Sequence, residues 1–120
     1  MPSFSNASKA KLATCHDDIQ KLMNAVIEKV DIIILCGHRG EVDQNAAYAN
    51  GTSKLRYPYS KHNSSPSNAV DIAPYPLDWD NAKRFRDLAV VVKATAAELN
   101  IPIKWGGDWK SFCDLPHWER

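Results

Sequence analysis

The 120-residue chain contains four histidines, His16, His38, His62 and His117. Two of them have neighbours suited to holding a metal ion. His62 lies in Ser60-Lys61-His62, at the start of a polar stretch, and nine positions later Asp71 falls inside the apolar run Ala69-Val70-Asp71-Ile72-Ala73. Aspartate is disfavoured in strands. If buried, it must be paired or face a cation, because an isolated buried carboxylate is very costly. The alternative is a partly exposed aspartate, or one that caps a turn. A third element, Asp114-x-x-His117, sits beside apolar and aromatic residues. Two histidines and one carboxylate are the ligand set of many catalytic zinc sites, where three protein ligands leave a fourth position for water. No HExxH occurs, which excludes the arrangement with two ligands on one helix. Here the ligands would come from a loop and two strands. His16 and His38 lack such neighbours and read as structural.

These residues need a frame. Asn6 to Leu12 reads as a short opening helix, capped by Ser5 or Asn6. From His16 to Val30, Ile19, Leu22, Met23, Val26 and Ile27 recur at spacings of three and four and make one apolar stripe, a core face. Ile32-Ile33-Ile34-Leu35, closed by Gly37, reads as a buried strand. Glu41 to Asn50 has helical composition and stops at Gly51, a C′ glycine. The stretch from Thr52 to Asn68 is rich in Ser, Tyr, Pro and Asn. Loops of this length inside compact domains are commonly functional. Ala69 to Ala73 is a second strand, ended by Pro74 and Pro76. Asp80 to Asn100 is the longest helix, burying Phe85, Leu88, Ala89, Val92, Ala96 and Leu99. Trp105-Gly106-Gly107 marks a turn, and the tail ends on a strand. Helices alternate irregularly with short strands, so the fold class is α+β, with strands too few and too short for a doubly wound sheet.

Composition narrows the function classes. The length fits one domain, residues 1–120. Lys plus Arg is 15 and Asp plus Glu is 14, a net charge of +1. That balance offers no electrostatic basis for binding nucleic acid or an anionic membrane. Three cysteines without paired spacing, Cys15, Cys36 and Cys113, do not form a disulfide framework or a thiolate zinc site. Reduced thiols fit a cytosol. Cys36 lies in an apolar run and reads as a small buried hydrophobe. The opening residues Met1-Pro2-Ser3-Phe4-Ser5-Asn6 have no basic stretch followed by an apolar one, so no signal peptide is expected, and no apolar run approaches the length of a membrane span.

Ser60-x-His62, Ala69-x-Asp71 and the distant Asp114-x-x-His117 together resemble the pattern of the M15 family of zinc metallopeptidases, which comprises D-alanyl-D-alanine peptidases and L-alanyl-D-glutamate endopeptidases. Further matches extend over most of the chain. They are Gly37-His38-Arg39 with Gln44 and Tyr48 downstream, the run from Ala69 to Pro76, and Trp105-Gly106-Gly107-Asp108-Trp109. The Trp-Gly-Gly-Asp-Trp run and the ending Asp-x-Pro-His-Trp-Glu are most similar to the phage endolysin branch, which cuts the L-alanyl-D-glutamate bond. One departure stands out: the gap from His62 to Asp71 is longer than the family's common spacing, with Asn63-Ser64-Ser65-Pro66-Ser67-Asn68 as the connection.

The resemblance implies a small antiparallel sheet flanked by helices, the fold shared with DD-peptidases and hedgehog-like domains. It implies one catalytic Zn2+ on His62, Asp71 and His117. It implies an acidic base at Asp114, three residues before a ligand. In an extended segment i and i+2 share a face, so i+3 needs a turn or bulge, which Pro116 could supply. Glu119 competes for the role, since it shares a strand face with His117. Arg39 follows a strand and a glycine and is expected to hold a substrate carboxylate bidentately; a surface salt bridge with Glu41 or Asp43 is its alternative. Ser60 is expected to orient the His62 loop or the substrate. Trp105, Trp109, Trp118 and Trp79 read as core and groove-wall residues, with glycan contact as the less usual role. The implied partner is the peptidoglycan stem peptide, met by a monomer without nucleic acid or membrane insertion. The implied location is the host cytoplasm, with release to the cell wall through a membrane pore. A D-alanyl-D-alanine carboxypeptidase and a non-catalytic zinc-containing wall-binding module are the competing functions.

Overall fold

The computed structural model describes residues 2–111 and 113–120. Its core is organised by two helices whose apolar stripes meet one face of a sheet. Helix α1 spans Asn6–Leu12, with the Ser5 hydroxyl accepting from the Ser8 amide at 3.1 Å. Helix α2 spans Asp17–Ile27, and Ile19, Leu22, Met23, Val26 and Ile27 are all buried on it. His16 is its N-cap: Nδ1 accepts from the Asp18 amide at 3.0 Å. Asp17 and Asp18 complement the positive end of the helix dipole.

Strand β1 is Ile32–Cys36, helix α3 Glu41–Ala49, and a 3-10 turn Lys61–Asn63 leads to strand β2, Ala69–Pro74. Gly51, at φ +80°, follows α3 in the left-handed conformation that favours glycine. Helix α4 covers Ala82–Leu99, capped by the Asn81 side chain and ended by Asn100 at φ 57°. Strand β3 is Lys104–Trp105, a 3-10 turn follows at Gly106–Asp108, and strand β4 is His117–Glu119. The sequence predicts the four α-helices and strands β1, β2 and β4 to within a few residues; the two-residue β3 and the 3-10 turn at Lys61–Asn63 are too short to leave a periodic pattern.

The four strands form an antiparallel sheet in the order β1-β2-β4-β3. Alternation divides its two faces. Ile32, Ile34, Val70, Ile72 and Trp118 join the buried cluster with α2 and α4. Asp71, His117 and Glu119 belong to the opposite face. Across β2 and β4, Asp71 pairs directly with His117.

Strand β1 departs from simple alternation. Ile34 pairs with Ile72, but Cys36 pairs with Asp71, so Leu35 is an extra residue in a bulge. A bulge re-aims the side chains beyond it. Cys36 therefore leaves the face of Ile32 and Ile34 and stands half-buried opposite Asp71. This corrects the reading of Cys36 as a buried core hydrophobe. All three cysteines are free thiols.

The orientation of the two long helices can be tested by one truncation on each. Leu22→Ala, at a fully buried site, is expected to cost about 2–5 kcal/mol in chemical denaturation. Val90→Ala, on the exposed side of α4, is expected to stay within about 0.5 kcal/mol of the parent. Similar costs at both positions would mean that the helices are turned differently.

Candidate metal centre

Three elements deliver three donor atoms to one point. His62 comes from the 3-10 turn Lys61–Asn63, Asp71 from the middle of the sheet, and His117 from the first residue of β4. His62 Nε2 lies 3.2 Å from Asp71 Oδ1 and 3.3 Å from His117 Nδ1, and His117 Nδ1 lies 3.2 Å from Asp71 Oδ1. A tetrahedral ion with bonds of about 2.0 Å has ligand–ligand edges of about 3.3 Å. The nearly equilateral triangle therefore has the size of one face of such a tetrahedron. Among the described residues these three form the group able to hold a metal ion.

The outer contacts leave the right nitrogens free. His62 Nδ1 is 2.8 Å from the Gly37 carbonyl, to which it donates when Nε2 faces a cation. His117 Nε2 is 2.8 Å from Glu119 Oε1, which leaves Nδ1 as the ligand atom. Such partners fix the tautomer and raise the basicity of a metal-binding histidine. Lys61 Nζ lies 3.2 Å from the other Glu119 oxygen and also reaches the Arg120 carbonyl. Glu119 thus sits on the far side of the His117 ring from the triangle, occupied with the imidazole and an ammonium.

Asp114 is held differently. Its amide donates to the Gly106 carbonyl at 3.0 Å, and its own carbonyl accepts from the His117 amide at 3.2 Å. The second bond closes the turn that an i to i+3 spacing requires. A Cβ on Gly106 would lie 2.4 Å from the Asp114 carbonyl oxygen and 3.1 Å from His117 Cβ. Glycine at 106 lets the Gly106–Asp108 turn approach the segment that carries both acid and ligand. Trp109 closes over this region, with its ring centroid 5.1 Å from that of His117.

Arg39 does not pair with Glu41 or Asp43. Its Nη2 reaches Asp71 Oδ2 at 3.4 Å and Cys36 Sγ at 3.6 Å, and its Nη1 donates to Gln44 Oε1 at 3.1 Å. Gln44 is fully buried, the one buried residue of α3. Its oxygen also accepts from Asn63 Nδ2 at 3.2 Å, while its amide nitrogen donates to Ser53 Oγ and the Leu55 carbonyl. Gln44 therefore ties Arg39, the residue after His62 and the 53–55 loop to one helix. The sequence reading treated Gln44 only as part of a pattern. A glutamine as the sole buried side chain of a helix is not visible from periodicity.

Ser60 caps the turn that carries His62: its Oγ accepts from the His62 amide at 3.2 Å, and its amide donates to Asn63 Oδ1 at 2.9 Å. The long connection to Asp71 is pinned as well. Ser67 exchanges backbone bonds with Thr14 and His16, and Asn68 donates to the Lys61 carbonyl at 3.0 Å. The connection thus packs against the α1–α2 junction.

A cavity of about 610 Å³ opens over the triangle, lined by Arg39, Ser60, all three donor residues and Asp114, with the 51–55 loop, Trp79 and Trp109 among its walls. Electrostatics follow from the crowding. Burial pulls His62 down, but the Asp71 hydrogen bond and the contact with Cys36 outweigh it and raise His62 to about 10. His117 moves the same way: burial lowers it, and hydrogen bonds to Asp71 and Glu119 prevail. Asp71, despite burial, is held far below the carboxylate range by the two histidines. Burial and the Asp71 charge raise Asp114. Burial alone would raise Cys36, but its hydrogen bond with His62 and the charges of His62 and Arg39 carry it below the usual thiol value.

Without a cation, the raised His62 stabilises the fold fully below its unfolded value of about 6.5. That contribution is lost as pH rises through about 10. The lowered Asp71 contributes above its unfolded value of about 3.9 and loses its contribution as pH falls. A cation takes the place of these protons. Titration of the metal-free chain with a divalent metal at pH 7 should therefore release protons, and affinity should rise with pH. Calorimetry in buffers of different ionisation enthalpy measures this, and an absence of release would contradict the raised histidines. Glu119→Ala is expected to weaken metal affinity about 10- to 100-fold in chelator competition. Unchanged affinity would show that the carboxylate does not hold the His117 ring.

Known proteins share this architecture. The chain is 31% identical over 116 residues to the L-alanyl-D-glutamate peptidase of Escherichia phage T5, an alignment covering 92% of this chain and 84% of that one. The crystal structure of the Serratia marcescens L-Ala D-Glu endopeptidase ChiX superimposes with a TM-score of 0.77 at 26% identity, covering 98% of this chain and 89% of that one. The sequence profile of phage L-alanyl-D-glutamate peptidases matches residues 2–119. With the His–Asp–His triangle in an α+β domain and a family match over nearly its whole length, this chain belongs to the phage L-alanyl-D-glutamate peptidase family.

Proposed function

We propose that this chain is a zinc-dependent peptidoglycan endopeptidase that hydrolyses the L-alanyl-D-glutamate bond of the stem peptide and so degrades the bacterial cell wall. The observation that carries the reading is the triangle of His62, Asp71 and His117 on a cavity that also takes in Asp114, in a chain of a family described by that bond. Two imidazoles and one carboxylate at tetrahedral spacing suit zinc, and three protein ligands are the catalytic rather than the closed structural number. Zinc held there would supply Lewis acidity toward the scissile carbonyl and lower the pKa of a water to roughly 7.

The remaining roles belong to the chain. Asp114 acts as the base that takes the proton of the attacking water and passes it to the leaving amine. Its raised pKa brings it closer to the range where both transfers are efficient. Glu119, engaged with His117 and Lys61, acts through the ligand it orients. Arg39 serves two ends. It neutralises the second Asp71 oxygen, and two of its five N–H groups meet no partner among the described residues. Those groups are available to a substrate carboxylate or carbonyl in the cavity that Arg39 lines. Ser60 sets the His62 turn at the cavity wall. Residues 1–120 act as a single catalytic domain, working as a monomer. No helix among the described residues is long and apolar enough to cross a membrane; delivery to the wall through a pore, as the resemblance implies, is part of the same proposal.

The decisive experiment digests purified cell walls and identifies the products by mass spectrometry. New amino-terminal D-glutamate, with L-alanine left on the glycan, is expected; release of a terminal alanine alone would mark a carboxypeptidase instead. Chelation should abolish cleavage, and zinc should restore it. Asp114→Ala should keep the fold and the metal but lose about 10²- to 10⁴-fold in rate. An undiminished rate would remove Asp114 as the base.

A further inference from the structure

Trp79 is 60% exposed, far more than Trp105 at 8% or Trp118 at 1%. It lines the same cavity as the metal triangle. Its ring stacks on Phe85, with centroids 5.7 Å apart and planes 15° from parallel. Phe85 is buried at the start of α4. One face of the indole is thus backed by a fixed ring, and much of the remaining surface is left to solvent. The backbone around it is fixed too. Arg84 Nη1 donates to the Pro76 carbonyl at 2.6 Å, the Asp80 amide to Asp78 Oδ1 at 3.0 Å, and the Asn81 amide to the Asp78 carbonyl at 3.2 Å. Leaving a large apolar ring in water forgoes its burial free energy. A rigid, exposed aromatic on the wall of a catalytic cavity is the form that a stacking surface takes.

We propose that Trp79 is a carbohydrate platform, on which the sugar that bears the stem peptide stacks while the peptide is cut. The inference rests on the endopeptidase reading above. In that substrate the L-alanine amine is joined to the lactyl group of the sugar. One residue of extended chain, about 3.5 Å, separates the scissile carbonyl from that group, so the sugar cannot lie far from the metal. A pyranose presents a flat face of C–H bonds that matches an aromatic plane. The peptide beyond the cleaved bond carries carboxylates, which suit cationic walls such as Arg39 and Lys61. Trp79 is uncharged and flat, and it suits the sugar. Tyr59, 76% exposed on the same cavity, offers a second ring to the glycan.

The test compares two soluble substrates with the same stem peptide, one carrying the disaccharide and one with only an acetylated L-alanine. The quantity read is the ratio of kcat/KM for the first over the second. The wild type should favour the disaccharide form. Trp79→Ala should lower that ratio about tenfold, as loss of an aromatic contact of this kind predicts, and Trp79→Phe should keep most of it. No glycan preference in the wild type, or an equal loss on both substrates in Trp79→Ala, overturns the proposal. A second readout needs no catalysis: the Trp79 indole N–H resonance of the zinc-loaded protein should shift on titration with the peptide-free disaccharide, and a static resonance at millimolar sugar overturns it. Cleavage of both substrates at L-Ala–D-Glu with no response to Trp79 sinks only the platform. Cleavage at another bond sinks the endopeptidase reading and the platform with it.

Discussion

Three electron-pair donors, His62 Nε2, Asp71 Oδ1 and His117 Nδ1, face one another at 3.2–3.3 Å. Such an arrangement is tolerable in a protein interior only if positive charge occupies its centre, as protons or as a metal ion. The sheet supplies half of the solution by setting Asp71 directly across from His117. A register shift of one residue would turn His117 to the face now held by Trp118 and dismantle the site. The stack of Trp118 on Trp105, with centroids 5.8 Å apart, fills the core side of that same strand. Packing on one face of β4 thus fixes the chemistry on the other.

Around the triangle, the fold places a partner behind each donor. Gly37, Glu119 and Arg39 contact His62, His117 and Asp71 respectively. Close approach at two glycines shapes this surround. A Cβ on Gly37 would lie 2.4 Å from the Lys11 carbonyl and from Thr14 Oγ1, and Gly106 is confined by Asp114 in the same way. These glycines carry no chemistry themselves. They let the α1–α2 junction and the segment after β3 close on the candidate site, the first behind His62 and the second beside Asp114 and His117. Arg39 is the more compact device. One guanidinium neutralises Asp71, and through Gln44 it couples the donor triangle to the loop that walls the cavity.

The division between Asp114 and Glu119 shows how two nearby carboxylates acquire different chemistry. Glu119 accepts from an imidazole and faces an ammonium, so its pKa is lowered. Asp114 is half-buried near the Asp71 carboxylate, and partial desolvation with that charge raises its pKa. A carboxylate already neutralised by hydrogen bonds orients; one poised near its proton can move it. The cavity then gathers the three donor residues, a carboxyl with a raised pKa and a guanidinium within one enclosure, with exposed aromatics on its walls.

Much of this was legible in the residues. Apolar stripes at helical spacing placed α2 and α4, and short β-branched or apolar runs placed β1 and β2, because burial of one face is a local periodic property. An aspartate within the apolar β2 run marked itself, since a buried charge demands a partner. The sequence thus determined the longer elements and the α+β class, and it singled out the three residues that the fold brings together as candidate donors. Tertiary structure decided what those residues touch. The bulge at Leu35 turned Cys36 out of the core and toward Asp71. Arg39 found Asp71 rather than a neighbouring acid, Gln44 became a buried hub, and Glu119 was taken up by His117. Each outcome depends on register and on segments far apart in the chain meeting at hydrogen-bond distance, and local periodicity carries no record of which polar group will lie across the sheet.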